Sequence, residues 1–187
     1  NTGEFLYPEK IGNQGILISE ILFNPRKEGV DFVEIFNNAD TELDLRHLSI
    51  ATSKGDSVTN IKAISTSQLL LQPKQYMVLS TDPDRIKKEY YTENPNAFLQ
   101  MTCMPGFNDD EGTVILLSGN NQIDQLTYSA KMHFGLIKDV EGVSLERVSF
   151  KRPTNEVGNF RSAAASVGFA TPGYKNSQTI EDLAKAD

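Results

Sequence analysis

Apolar residues along the chain occur in short runs of strand length, and each run is rich in β-branched or aromatic residues. Gly, Asn, Asp and Pro separate the runs, as is typical of turns between strands. The runs are 15–23, 31–37, 43–51, 68–71, 75–80, 112–118, 122–129 and 143–150. Their number and spacing predict an all-β fold, an antiparallel β-sandwich of roughly seven to nine strands.

One segment, TDPDRIKKEYY, has the pattern of a helix instead. Asp82 can cap its first turn, Pro83 suits the first helical position, and Asp84 complements the positive end of the helix dipole. We expect one short crossover helix near residues 83–91. The stretch SGNNQ, residues 118–122, lies between two apolar runs and predicts a hairpin turn, since Gly and Asn tolerate positive φ.

Length and charge exclude several classes of protein. The chain has 187 residues, which suits a single domain, and no apolar run approaches the roughly 18 residues of a membrane-spanning helix. Its 18 Lys and Arg against 25 Asp and Glu give a net charge of −7. Such a surface repels phosphate backbones, so we expect no nucleic-acid binding. Because no apolar run is long enough to span a bilayer, we also expect no membrane insertion.

The two ends and the single cysteine have weak patterns. Residues 1–15 are predicted to be a linker or peripheral segment, and residues 177–187 a C-terminal tail. The chain opens with Asn1, so we interpret it as a processed or excised piece of a longer protein. Cys103 cannot form an internal disulfide, and its apolar neighbours Met101, Met104 and Phe107 favour burial.

Two acids lie inside apolar runs and are the strongest candidates for chemistry. By strand alternation, Glu20 shares a face with the apolar residues of the first run, and Glu34 does so in the second. A glycosidase-like pair would need two carboxyls about 5 to 10 Å apart in a cleft, which a sandwich seldom provides. We therefore favour a structural role, with Arg46, Arg147 or a backbone N–H as partner.

Arg147 is expected to be structural as well. It lies in phase with Leu145 and Ser149 and out of phase with Glu146, so the two charges leave the strand on opposite faces. The planar guanidinium suits a partly buried ion pair. We expect Arg147 to neutralise an acid on a neighbouring strand.

Other candidate sites depend on few residues. Asp109, Asp110 and Glu111 are calcium candidates, although three consecutive acids cannot all point inward and the EF-hand spacing is absent. With only His47 and His133, few acid–base or zinc sites could be built.

Aromatic residues offer one more possibility. Tyr90 and Tyr91 are candidates for a carbohydrate platform, although we favour helix-to-sheet packing as their role. The crossover EYYTENPNAFLQM, residues 89–101, is the candidate contact surface for another protein.

The order of motifs resembles the lamin-tail domain, in the form found in exported bacterial proteins. The motifs are ILISEILFNP, DFVEIFNN, LDLRHLSI, LLLQPKQYMVLSTDPDRIKKEY, NDDEGTVILLSGNNQIDQLTYS, VSLERVSF, NFRSAAAS and ATPGYKNS. The resemblance implies an immunoglobulin-like β-sandwich over residues 16–176, usually one module of a larger secreted or surface protein. The ending SAAASVGFATPGYKN looks most like versions from Bacteroidetes.

The chain departs from the family where a Gly-Trp pair is frequent, because it has His47 and Leu48 there and contains no Trp. A neighbouring Phe or Tyr is expected to fill the volume.

These observations favour a non-enzymatic, monomeric structural or protein-interaction module that needs no cofactor. Its expected partners are neighbouring domains of the same chain or another protein, and its expected location is extracellular, cell-surface or periplasmic. The alternative is a ligand-binding domain for calcium or carbohydrate, or an accessory domain of a secreted hydrolase.

Overall fold

Two sheets form a sandwich in the computed structural model, which describes residues 11–180. The strands are numbered β1 to β12 along the chain. The first sheet contains, in spatial order, β12 (Phe160–Ser162), β11 (Leu145–Arg147), β1 (Ile16–Leu22), β2 (Phe32–Asn37), β7 (Tyr76–Ser80) and β8 (Phe98–Gln100). The second contains β10 (Asn121–Ser129), β9 (Glu111–Ser118), β4 (Leu48–Lys54) and β5 (Ser57–Ala63). A two-stranded ribbon pairs β3 (Leu43–Asp44) with β6 (Leu70–Leu71).

The all-β, immunoglobulin-like sandwich predicted from the sequence is confirmed, but the strand count was too low. The pattern missed the edge strands β5, β8 and β12. At β5 most side chains are exposed, and β8 and β12 have three residues each, so none of them has a continuous apolar run. The predicted run 43–51 divides into β3, the 3₁₀ turn Leu45–His47 and β4.

The helix α1 (Pro83–Glu89) connects β7 to β8. As predicted, Asp82 caps it, accepting a 3.0 Å hydrogen bond from the Arg85 N–H. The helix ends two residues earlier than expected because Tyr90 turns inward and donates its hydroxyl to the Gly142 carbonyl at 2.9 Å. The crossover through α1 makes β7 and β8 parallel, whereas the other strand pairs described are antiparallel.

The predicted hairpin turn is confirmed between β9 and β10. Asn121 pairs with Ser118 across the turn, and Gly119 between them has a φ of 59°. Because this positive φ is open to glycine without a steric penalty, the chain reverses within two residues.

The main core lies between the two sheets. Its largest members are aromatic and aliphatic side chains with little or no exposure, among them Phe23, Ile35, Leu48, Leu116, Tyr128 and Phe160. The ring of Phe23 lies 4.4 Å from that of Tyr128. Leu48, at the position where the resembling family has Trp, is fully buried in this core. Ile11 is buried there too, although residues 1–15 were predicted to be peripheral; residues 1–10 lie outside the described part.

The outer face of the six-stranded sheet is also covered. Helix α1 packs there, and Leu22, Val78, Ile86 and Ala170 form a second apolar cluster. Ala170 begins a segment, residues 170–178, that crosses this face and is called the C-terminal strap below. Tyr90 is buried in the same cluster, so it cannot form a carbohydrate platform, while Tyr91 is exposed and contacts Tyr174 edge-on.

The prediction that Cys103 is buried was wrong, because the side chain is exposed. Its neighbours Met101 and Phe107 do turn into the core. Side chains in the loop between β8 and β9 do not alternate regularly between two faces. Burial of Met101 and Phe107 therefore does not indicate whether the Cys103 side chain points into the core.

Among the residues that the structure describes, no helix is long and apolar enough to span a membrane.

Candidate functional site

A single row of residues crosses all six strands of the first sheet. Strand pairing places one residue of each strand beside the next, in the order Arg161, Glu146, Glu20, Glu34, Val78 and Phe98. Glu20 is therefore the direct neighbour of both other glutamates, on the same face of the sheet. The two acids singled out from the sequence come together, and Glu146 joins them.

These three carboxylates, called the glutamate row below, have no exposed surface because the C-terminal strap covers them. The backbone N–H of Thr171 donates to Glu20 Oε1 at 3.0 Å, and that of Gly173 donates to Glu34 Oε2 at 2.7 Å. The Thr171 hydroxyl donates to Glu146 Oε1 at 2.7 Å. The strap is thus fastened to the sheet through the carboxylates.

Further donors complete most of the hydrogen bonding of the row. The hydroxyl of Ser144 donates to Glu20 Oε1. The hydroxyl of Ser177 and the backbone N–H of Gln178 donate to Glu146 Oε2 at 2.7 and 2.9 Å. Oε1 of Glu34 is buried without a hydrogen-bond partner among the described residues. An orphaned carboxylate oxygen of this kind favours the protonated form of the acid.

Burial raises the pKa of all three acids. The pKa of Glu20 rises to about 8, through burial first and then through the charge of Glu146. Burial and the charge of Glu20 hold the pKa of Glu34 well above its usual value. The pKa of Glu146 is also raised by burial, although its hydrogen bonds from Ser177 and Thr171 act in the other direction. At neutral pH the row therefore retains protons.

The row is built as a structural element rather than a catalytic pair. A glycosidase needs substrate and water between its carboxyls, whereas the strap occupies that side of the sheet and leaves no exposed carboxylate surface. The predicted arginine partners were wrong: Arg46 pairs with Asp44 at 3.0 Å, and Arg147 points to the other face. The backbone N–H alternative is confirmed for both Glu20 and Glu34.

Arg147 is a buried structural cation, as expected. Its Nη2 lies 3.1 Å from Asp124 Oδ2, and its Nε donates to the Ile18 carbonyl at 2.6 Å. Thr154 accepts a further bond at 2.7 Å. The prediction that its acid lies on a neighbouring strand was wrong, because Asp124 lies on β10 of the opposite sheet. The ion pair therefore joins the two layers. Burial lowers the pKa of Arg147 to about 10, which still keeps the guanidinium charged at neutral pH.

The calcium candidates lie in an exposed loop that leads into β9. Asp109, Asp110 and Glu111 all have exposed side chains. Burial raises the pKa of the nearby Asp31 to about 7, and the charge of Asp109 contributes to this rise. Within residues 11–180, no group of three or more His, Cys, Asp or Glu side chains is arranged to hold a metal ion.

The two histidines have different surroundings. His47 is exposed at the end of a 3₁₀ turn, whereas His133 is buried, with Nδ1 2.9 Å from the Ser162 hydroxyl. Burial lowers the pKa of His133 to about 4, so the ring is neutral at physiological pH. His133 follows the 3₁₀ turn at residues 130–132. The sequence pattern at this position did not indicate that the ring is buried.

An open groove of about 1390 Å³ lies beside β12. The loops 131–139 and 154–158 and residues of β12 line it, and we call it the β12 groove. Its lining includes Phe134, Leu136 and Val157, whose side chains are 62%, 80% and 94% exposed. The sequence analysis missed this surface. The apolar residues of HFGLI, in a stretch without strand pattern, were the available signal.

A family model described as Lamin Tail Domain matches residues 10–130, well over half of the chain. This chain belongs to the lamin tail domain family. The family consists of non-enzymatic immunoglobulin-like domains, in agreement with the sandwich described above. No curated protein matches the chain.

The family match ends before several elements that complete this lamin tail domain. Strands β11 and β12 and the strap follow residue 130, yet β11 pairs directly with β1 and carries Glu146 into the row. The β12 groove also lies almost entirely beyond the match. The predicted domain bounds, 16–176, include β11 and β12 and stay a prediction. They end before Ser177 and Gln178, which were assigned to the C-terminal tail but donate hydrogen bonds to Glu146.

Proposed function

We propose that this lamin tail domain is a non-catalytic interaction module of a larger exported bacterial protein, located outside the cell, at its surface or in the periplasm. The non-enzymatic character of the family supports the first part of the proposal. The burial of the glutamate row supports it as well, since the acids most suited to catalysis are out of reach of a substrate.

The β12 groove is the observation that carries the proposal. Large apolar side chains exposed singly are normal on a protein surface, but a concave patch with several of them indicates a binding surface. Phe134, Leu136 and Val157 all line this one groove. The crossover 89–101, which the sequence suggested as contact surface, is less suited because Tyr90, Ala97 and Met101 pack inward.

The partner is a neighbouring domain of the same protein or another protein. We propose that the domain is monomeric, needs no cofactor and binds no nucleic acid. The net charge of −7 supports the last point, since it opposes a phosphate backbone. Calcium or carbohydrate binding and an accessory role beside a hydrolase stay predictions from the sequence, without a specific observation in their favour.

Site-specific photo-crosslinking in cells that export the parent protein tests the proposal. A benzophenone amino acid replaces Leu136 in one variant and Ile61 in the control, because Ile61 is a similarly apolar, 55% exposed residue on β5 of the other sheet. We expect a discrete crosslinked product at position 136 and none at position 61. Equal crosslinking at both positions, or none at 136, would contradict the proposal.

A hydrolase substrate panel tests the non-catalytic part separately. We expect no turnover that depends on the glutamate row. Turnover that disappears in Glu20→Gln, with the circular dichroism spectrum unchanged, would overturn this part.

A further inference from the structure

We propose that the β12 groove binds an extended peptide segment in which large apolar side chains are flanked by acidic ones. This inference rests on the proposed function, because it takes the groove to be the interaction surface and adds the chemistry of the partner.

The size of the groove favours a peptide over a small molecule. Pockets for small ligands typically have volumes of about 300 to 1,000 Å³, and the volume of the β12 groove is about 1390 Å³. Its exposed apolar side chains come from two separate loops, with Phe134 and Leu136 in one and Val157 in the other. An open groove of this size with apolar side chains from two loops suits an extended chain.

The charged side chains that line the groove indicate that the partner carries negative charge. Lys131, Lys138 and Arg161 line it with exposed side chains, and none of them forms a salt bridge within the described residues. The groove is therefore rich in unpaired positive charge, although the chain as a whole carries −7.

The two acids that line the groove do not cancel this charge. Glu156 is bound to Arg152 at 2.8 Å, and a carboxylate oxygen of Asp139 accepts a 3.0 Å hydrogen bond from the Glu141 N–H. The groove thus has three basic side chains and only one acid that is not paired with a cation. Acidic side chains on the bound peptide would complement this positive charge.

Other anionic partners fit the groove less well. A flat bilayer surface makes little contact with the inside of a concave groove. Three basic side chains are also too few to outweigh the repulsion between phosphates and a chain of net charge −7. These two classes are kept as outcomes of the test.

Fluorescence anisotropy with three labelled nonapeptides tests the inference. The probe is Gly-Asp-Glu-Leu-Phe-Glu-Asp-Leu-Gly. One comparison peptide replaces its acids with Lys, and the other replaces Leu and Phe with Ser. We expect the probe to bind in the range of about 10 to 300 μM and each comparison peptide to bind at least about tenfold more weakly, a difference of about 1.4 kcal/mol.

Matched variants locate the binding. Leu136→Ser and Lys138→Glu are expected to weaken binding of the probe about fivefold or more. Ile61→Ser is the control and should change nothing. All three positions are exposed, so the variants should retain the melting temperature of the wild-type domain, which is measured in parallel.

Failure of this inference is distinguishable from failure of the proposed function. If crosslinking at position 136 succeeds but the acidic probe does not bind below 1 mM, or binds no better than the Lys peptide, the partner chemistry is wrong while the interaction module stands. Binding of phosphatidylglycerol vesicles or a single-stranded oligonucleotide that is lost in Lys138→Glu, without binding of the probe, overturns the peptide proposal as well.

Discussion

Glu20→Gln should stabilise this domain at slightly alkaline pH, although it removes a fully buried residue of the core sheet. The substitution keeps the size of the side chain and removes its charge. The amide oxygen can still accept the hydrogen bonds that Ser144 and the Thr171 N–H give to Glu20 Oε1. What is lost is the unfavourable burial of a carboxylate next to Glu146 and Glu34.

The magnitude follows from the raised pKa of Glu20. The pKa is 4.5 in the unfolded chain and about 8 in the folded protein. Between these values the native state binds more protons than the unfolded state, so the contribution of Glu20 to stability is present below pH 4.5 and is lost as the pH rises toward 8. At about 1.4 kcal/mol per pKa unit the upper bound is about 5 kcal/mol. Protein relaxation and water entry reduce this, and we expect a difference of about 1 to 3 kcal/mol at pH 8.

Urea unfolding of the wild type and of Glu20→Gln, at intervals from pH 5 to pH 8.5, measures the effect. The free energy of unfolding of the wild type should fall relative to that of the variant across this range. His133 acts in the opposite direction below pH 6.5, because its pKa is lowered, but it is present in both proteins and cancels in the difference. Glu93→Gln, the same change at an exposed position, is the control.

Two results would refute the reasoning. One is a difference between Glu20→Gln and the wild type that does not change with pH. The other is a variant that is less stable than the wild type at pH 8, which would mean that Glu20 is ionised and favourably bound in the native row.

Four further predictions concern other parts of the domain. Arg147→Met should cost about 3 to 5 kcal/mol in urea unfolding, since it leaves Asp124 buried without its cation; a loss below about 1 kcal/mol would contradict this. Cys103 should react with a thiol reagent as fast in the native protein as in urea; strong protection would show it buried. By NMR, His133 should stay neutral down to about pH 4; a midpoint near 6.5 would refute its burial. Calorimetry with calcium should show no site tighter than roughly millimolar, and saturable micromolar binding would establish one at the loop 108–112.

Local patterns were sufficient to predict the class of fold. The hairpin turn at Gly119 and the cap of α1 at Asp82 each depend on interactions within a few residues, so their sequence signals were complete. The alternation around Arg147 correctly separated it from Glu146, because side chains in a strand alternate whatever the strand pairs with.

Contacts between distant residues were decided only by the tertiary structure. Periodicity predicted that Glu20 and Glu34 lie on apolar faces of their strands, but their donors Thr171 and Gly173 lie about 140 to 150 residues away along the chain. Periodicity also placed Glu20 on one face with Ile16 and Ile18, which was wrong. A bulge between Ile18 and Glu20 leaves the two isoleucines in the core and Glu20 on the outer face of the sheet. Nor could periodicity predict that Glu146 lies beside Glu20, since strand order and register depend on the packing of the whole sheet.

The β12 groove and the exposure of Cys103 were beyond the sequence for a related reason. Cys103 and the exposed apolar side chains of the groove lie in loops whose backbone does not alternate, so the apolar character of Phe134 or of the neighbours of Cys103 did not indicate a direction. The direction of a loop side chain is determined by the elements on which the loop packs, here β12 for the groove. The sequence alone thus determined the sandwich and the apolar surroundings of its acids, whereas tertiary packing decided on which face Glu20 lies, what those acids bind and which apolar side chains remain exposed.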